Sequence, residues 1–155
     1  MITIMQRAAD LSRYRSSLAG PSTRELLNYF TSWHQEFELL SFKTGTSVFD
    51  WLVPHEWNLR HAFIKHRESG LIFADTNISP LAVVGYSEPV HLIMSKSALR
   101  DKLHFIEDLP TAIPYLTSYY KRTWGFCLTY NDYNSMPDGE YEIVIDSEFI
   151  DGSLD

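Results

Sequence analysis

Thr44-Gly45-Thr46-Ser47-Val48-Phe49-Asp50-Trp51-Leu52-Val53-Pro54-His55-Glu56-Trp57-Asn58 is the stretch on which the reading of the fold turns. It carries two tryptophans, a phenylalanine and three aliphatic residues, and among them Asp50, His55 and Glu56. Thr44-Gly45-Thr46 predicts a turn, and Val48 to Val53 predicts a strand. Pro54 excludes the helical region for Val53 and ends the regular structure there, so the polar residues lie just past a strand end. His55-Glu56 resembles the start of the His-Glu-x-x-His zinc motif, in which two imidazoles share one helix face around a general base. The next histidine is His61. A separation of six residues is about 600° of helical rotation, which points the two rings apart, and Pro54 directly precedes the pair. The motif is therefore rejected.

Before this stretch the period is helical. Ile4, Met5, Ala8 and Leu11 predict a short amphipathic helix within 1–11 that docks on something larger. Ser22 and Glu25, placed after Pro21, predict a capping box, and Leu26, Leu27, Phe30, Trp33 and Phe37 predict an apolar face running to about residue 37. After Phe37 β-branched and aromatic residues alternate with Gly, Pro, Asn and Ser clusters, the pattern of short strands and turns. Arg60–His66 and Leu71–Ala74 predict a hairpin around Glu68-Ser69-Gly70, with Asn77-Ile78-Ser79-Pro80 as a loop. Leu81–Tyr86 and Val90–Met94 predict strands around Ser87-Glu88-Pro89, the second at an edge or beginning at its proline. Ser95 is the expected N-cap of a further helix reaching about His104. Pro110–Trp124, with two prolines and several aromatic residues, predicts an irregular but well-packed segment. Trp124–Tyr130 and Glu140–Asp146 predict strands, with Tyr141, Ile143 and Ile145 on one face. The fold class is thus α+β: N-terminal helices, then a β-rich part with one further helix.

The motifs also carry a resemblance. Thr44 to Asn58 with Ala62-Phe63-Ile64, Gly85-Tyr86-Ser87-Glu88-Pro89-Val90, the run from Ala112 to Tyr120, Trp124-Gly125-Phe126-Cys127-Leu128, and Asp138-Gly139-Glu140-Tyr141 through Ile145-Asp146-Ser147 are similar, in order and spacing, to the bacterial zinc aminopeptidases of the DUF4910 family, which contain an inserted DUF2172 domain. The front end, Arg15 to Gly20 and Arg24 to Leu27, resembles the opening of their peptidase part. The resemblance implies an M28-type exopeptidase architecture in which two zinc ions activate water, linked to polysaccharide-biosynthesis settings. It implies that 1–43 are a helical segment of the aminopeptidase-like domain, and that 44–155 are the β-rich DUF2172-like domain with the start of the return to the catalytic sheet. It also implies that the zinc ligands, a His-Pro followed by an Asn-Asp, fall downstream of Gly152-Ser153-Leu154. No catalytic or metal-ligating residue is therefore assigned to this sequence, and no cofactor is expected for this chain alone.

Composition bounds the alternatives. The chain has 155 residues and a mass of 18.0 kDa, 45% hydrophobic and 14% aromatic, which is too apolar for disorder. Thirteen Lys+Arg against 20 Asp+Glu give a net charge of -7, and no basic block interleaves with aromatics, so a nucleic-acid partner is not expected. No apolar run reaches the roughly 20 residues of a membrane helix, and no membrane partner is expected. One cysteine, Cys127, and the lack of an export-type N-terminus predict the cytoplasm. The apolar setting of Cys127 predicts an inert thiol. Six scattered histidines lack short ligand spacing, and the acidic C-terminal cluster lacks the EF-hand order.

Two functions follow. The first is the N-terminal part of a zinc aminopeptidase-like protein, inactive alone, with the catalytic part or a second copy as partner. The second is a free-standing module that binds a peptide, a carbohydrate or a partner protein through aromatic residues. The candidate binding or interface residues are Trp51, Glu56, Trp57, Tyr119, Tyr120 and Trp124.

Overall fold

The computed structural model describes residues 3–14, 16, 19–34 and 36–155. Helices and sheets are both present, an α+β protein, and the chain divides into two compact units, 1–58 with 149–155, and 59–148.

In the first unit, helix α1 (Ile4–Leu11) starts in a complete capping box, Thr3 Oγ1 accepting from the Gln6 amide and Gln6 Oε1 accepting from the Thr3 amide. Its residues include none that is buried, and its contacts are polar: Tyr29 donates to Asp10 at 3.0 Å and the Arg7 guanidinium lies 4.1 Å from the Trp33 ring. Helix α2 (Pro21–Thr31) departs from the expected capping box. Gly20 is the N-cap, with no side-chain cap, and Pro21 takes the first helical position, where its missing N–H costs nothing. Gly20 has φ +153°, and a Cβ there would lie 2.6 Å from the Trp57 carbonyl oxygen, so this close approach requires glycine. The helix also ends at Thr31 rather than near residue 37. Thr31 and Ser32 turn their hydroxyls back to the Asn28 and Tyr29 carbonyls, the competition that weakens a helix end. The rings of Phe30, Trp33, His34 and Phe37 then pack on one another.

Strands β1 (Phe42–Lys43), β2 (Ser47–Val48) and β3 (Trp51–Leu52) follow. The strand expected over Val48–Val53 is instead a hairpin, Ser47 opposite Leu52 and Val48 opposite Trp51, with Phe49-Asp50 as a two-residue turn. Phe49 sits at φ +52° and is 99% exposed. Its ring gains nothing from burial there, and its backbone lies where Gly, Asn or Asp is favoured. We expect Phe49→Asn to raise stability by roughly 1 kcal/mol, read as a higher urea midpoint at unchanged slope. The last strand of the chain, β10 (Ser153–Leu154), pairs antiparallel with β1. The intervening strands are β4 (Glu56–His66), β5 (Ile72–Asp75), β6 (Val90–Ser95), β7 (Leu103–His104), β8 (Phe126–Cys127) and β9 (Glu140–Ile150).

The second unit is built on a four-stranded sheet in the order β5-β4-β9-β6. The expected β4–β5 hairpin forms, with a register shift after Ile64, and Gly70 at φ +72° makes its turn. Alternation is strict where it matters: Ala62, Ile64 and His66 on β4, and Tyr141, Ile143, Ile145 and Ser147 on β9, are all buried. Ala82, Val83, Val84, Tyr86, Leu99, Leu103, Phe126, Leu128 and Met136 complete this core. Val90–Ser95 is an edge strand starting next to Pro89, as the sequence predicts.

Four expectations are corrected in this unit. Leu81–Tyr86 is not a strand: it makes isolated bridges from Val83 to Phe126 and from Gly85 to Thr117, then turns at Tyr86, φ +64°, where the Ser87 hydroxyl donates to the Val84 carbonyl. The helix capped by Ser95, α3 (Lys96–Leu99), stops after one turn, passes into a 3-10 turn at Arg100–Lys102 and then into β7, because Leu103 must pair in parallel with Phe126. Trp124–Tyr130 contains only the two-residue β8 before a helix, α4 (Tyr130–Ser135), whose N-cap Thr129 accepts from the Asp132 amide at 2.9 Å. The irregular Pro110–Trp124 is as expected in backbone but not well packed, since Tyr115, Leu116, Tyr119 and Tyr120 are exposed.

Candidate functional site

Glu56, the first residue of β4, is 3% exposed and accepts from two directions. Its Oε1 receives the Ser153 amide at 2.8 Å and the Arg24 guanidinium, which projects from α2. Arg24 Nε meets Asp155 at 2.7 Å, and Arg24 also donates to the Ser153 hydroxyl at 2.9 Å. Ser41 and Ser153 donate to the same Asp155 carboxylate. Thr44 ties the base of the cluster: its hydroxyl accepts from the Gly152 amide at 3.0 Å and its own amide donates to the Gly152 carbonyl at 2.9 Å. One guanidinium thus serves two carboxylates that have left water. The hydrogen bond to Glu56 raises the Arg24 pKa above its ordinary value against the opposing effect of burial. Burial works against the charged form of Asp155, but hydrogen bonds from Ser41 and Ser153 and the charge of Arg24 outweigh it and hold its carboxyl below the usual range.

Within the first unit this cluster ties α2 to the residues on either side of β1, to the first residue of β4 and to β10; it does not resemble a reaction centre. Its Ser41 and Ser153 hydroxyls are spent on the Asp155 carboxylate, and the cation-seeking oxygens of Glu56 and Asp155 are committed to a permanent positive charge. Of the other expected residues, Trp57 is 7% exposed and belongs to the core of the same unit, and Trp51 lies half-exposed on the β2–β3 hairpin. Tyr119, Tyr120 and Trp124 fall in the second unit. Tyr119, at φ +44°, packs edge-on against the buried Tyr86, Tyr120 is 62% exposed, and the Lys102 ammonium lies 5.1 Å from the Trp124 ring. The structure therefore brings Glu56 and Trp57 to one strand start, and Tyr119 and Tyr120 to one loop.

Sequence reasoning missed Arg24, Ser41, Thr44, Gly152, Ser153 and Asp155. The only signal was their chemistry: an arginine inside an amphipathic helix and a glycine-serine step between acidic residues, types that carry no spacing rule. The histidines are held singly. His61 pairs with Asp75 at 2.9 Å and His55 with Asp151 at 3.2 Å, while His66 is buried against the Tyr141 ring and bonds Ser69. Among the described residues there is no group of three or more His, Cys, Asp or Glu placed to hold a metal ion. Cys127 is fully buried, and burial pushes its thiol up to about 12. Iodoacetamide at pH 8 should leave native Cys127 unmodified and label it stoichiometrically in denaturant, as read by intact mass; native labelling at the rate of a free thiol would contradict the packing.

Residues 56–148 match the family described as a domain of unknown function, DUF2172, and this covers the whole of the sheet unit together with Glu56 and Trp57. The chain belongs to the DUF2172 family. It is also similar, 41% identical over 138 residues, to a Clostridium acetobutylicum protein described as a "Putative polysaccharide biosynthesis protein with aminopeptidase-like domain". That alignment covers 89% of this chain and 31% of the relative. A crystal structure from the same organism, described as that of a "putative peptidase", superposes with a TM-score of 0.85 at 39% identity, over 94% of this chain and 34% of that one. The chain thus spans about a third of the length of the relatives it matches.

No described helix is long and apolar enough to cross a membrane.

Proposed function

We propose that this chain is the N-terminal part of an M28-type, DUF4910-like zinc aminopeptidase, working in the cytoplasm as a structural module that does not hydrolyse peptides by itself. The observation that carries the reading is the similarity over nearly the whole chain to a protein described as having an aminopeptidase-like domain, at 41% identity. The described residues do not fit a zinc site of their own. The buried carboxylates of Glu56 and Asp155 flank Arg24, whose charge opposes a cation in the same place, and the histidines are dispersed. Zinc and the catalytic groups therefore belong to the remaining part of such a protein, and that part is the proposed partner. Purified chain supplied with zinc should show no turnover of aminoacyl arylamides. Saturable hydrolysis that a chelator abolishes would overturn this reading.

A second reading, a free-standing binding module, is favoured by one feature. Tyr115, Leu116, Tyr119 and Tyr120 are exposed on a single loop segment, an amphipathic aromatic surface of the type used in recognition. Trp57, being buried, is not an exposed recognition residue. Titration with peptides or oligosaccharides should then produce a saturable tyrosine fluorescence change that Tyr120→Ala removes; no change with either class counts against the module.

A further inference from the structure

A pocket of about 190 Å³ opens in the second unit behind strand β5. Its floor and walls are apolar: Ala74, Ala82, Cys127 and Leu128 are buried, and Ile72, Phe73, Ile78 and Ile113 rise around them. The polar groups of its lining are Ser79 and two carboxylates, Asp75 and Asp132, with no lysine, arginine or histidine. Its size lies below the roughly 300 Å³ at which drug-sized ligand pockets begin, so it suits a body of about one aliphatic side chain.

We propose that this pocket binds a small primary ammonium carried on a short branched apolar body. Asp132 sets the sign of the ligand, because a cation beside its carboxylate gains charge-assisted hydrogen bonds that a neutral or anionic group does not, and Asp75, already bonded to His61 and the Asn77 amide, adds to the negative charge of the lining. Both are held in place. Asp75 Oδ1 is oriented by the Asn77 amide at 2.7 Å and by His61 at 2.9 Å. Asp132 is fixed by Thr129, whose hydroxyl donates to Oδ2 at 2.5 Å, and no described residue donates to its Oδ1. The ammonium therefore docks on the Asp132 side, and the branched alkyl group takes the floor between Ala82 and Leu128. His61, bonded to Asp75 from outside the lining, carries a positive charge only when protonated, and Arg and Lys are absent from the pocket wall. The inference stands independently of the peptidase reading, since it requires no turnover and no residue outside 59–148.

The test uses the full chain, isotope-labelled, in a two-dimensional amide NMR titration with 3-methylbutylamine, its neutral counterpart 3-methylbutan-1-ol, and ammonium chloride. The pocket predicts saturable shifts at the amides of Ala82, Leu128 and Asp132 with the amine, an affinity at least tenfold weaker for the alcohol, and little response to ammonium alone. Asp132→Asn keeps the oxygen that accepts from Thr129 and should weaken the amine tenfold or more while leaving the alcohol unchanged. Equal binding of amine and alcohol, shifts outside the pocket only, or full amine affinity in Asp132→Asn would each overturn the proposal. If the variant does not fold, the comparison of amine with alcohol on the unaltered chain still decides.

Discussion

Arg24→Met lowers the free energy of unfolding by about 3 kcal/mol, the low end of what removing one partner of a buried ion pair costs. The reason is the two charges it leaves behind. The side chains of Glu56 and Asp155 are 4% and 5% exposed, and each meets the guanidinium, so without it two carboxylates lie close together in a poorly solvated place. Arg24 itself is 37% exposed, and the water it retains is why the low end of the range applies. For a chain of this size the loss corresponds to a fall of roughly 6–12 °C in melting temperature. Glu56→Gln paired with Arg24→Met should restore part of the loss, because it removes one of the stranded charges, and a double-mutant cycle by urea denaturation reads the coupling directly. An Arg24→Met protein that melts with the wild type would show that the cluster is solvated and contributes nothing.

Gly152→Ala should be nearly as damaging, at about 3 kcal/mol, for a steric reason. A Cβ at residue 152 would lie 2.2 Å from Glu56 Oε1 and 2.3 Å from its Cδ, well inside contact. An exposed glutamate would swing aside at little cost. Glu56 is held by Arg24 and by the Ser153 amide, so it moves only if both bonds break. The methyl group therefore converts a packing clash into the loss of the ion pair. The signature separates this from a generic glycine effect: in an Arg24→Met, Glu56→Ala background, where the obstructing carboxylate is gone, Gly152→Ala should cost little. A large cost in both backgrounds would place the strain in the backbone instead.

What could be read in the sequence follows the range of the forces involved. The β4–β5 hairpin, the Tyr141-Ile143-Ile145 face, the Ser95 cap and the α+β class depend on period, turn glycine and capping chemistry within a few residues, and the structure has them. The helix to residue 37 and the strand over Val48–Val53 depended on apolar runs alone. Thr31 and Ser32, bonding back to the Asn28 and Tyr29 carbonyls, weakened the end of the first, and a turn with Phe49 at positive φ folded the second onto itself. Helix α4 was announced by Thr129 and Asp132, a cap signal outweighed by the aromatic pattern around it. Glu56 was legible as a candidate but not as half of an ion pair, because its partner stands 32 residues earlier and the groups that complete the cluster about 100 residues later. No local pattern encodes such distances. Trp57 looked like a recognition residue by type and is a core residue by position.

The assignment of this chain to a larger aminopeptidase-like protein is tested most directly by the nucleotide sequence of its native locus for several hundred bases beyond the codon for Asp155, read in all three frames. The account predicts a continuation, in frame or after a frameshift, that encodes a His-Pro followed by an Asn-Asp and the rest of a zinc peptidase. An unrelated gene in that place would contradict it and would move the weight to the binding module and its exposed tyrosines.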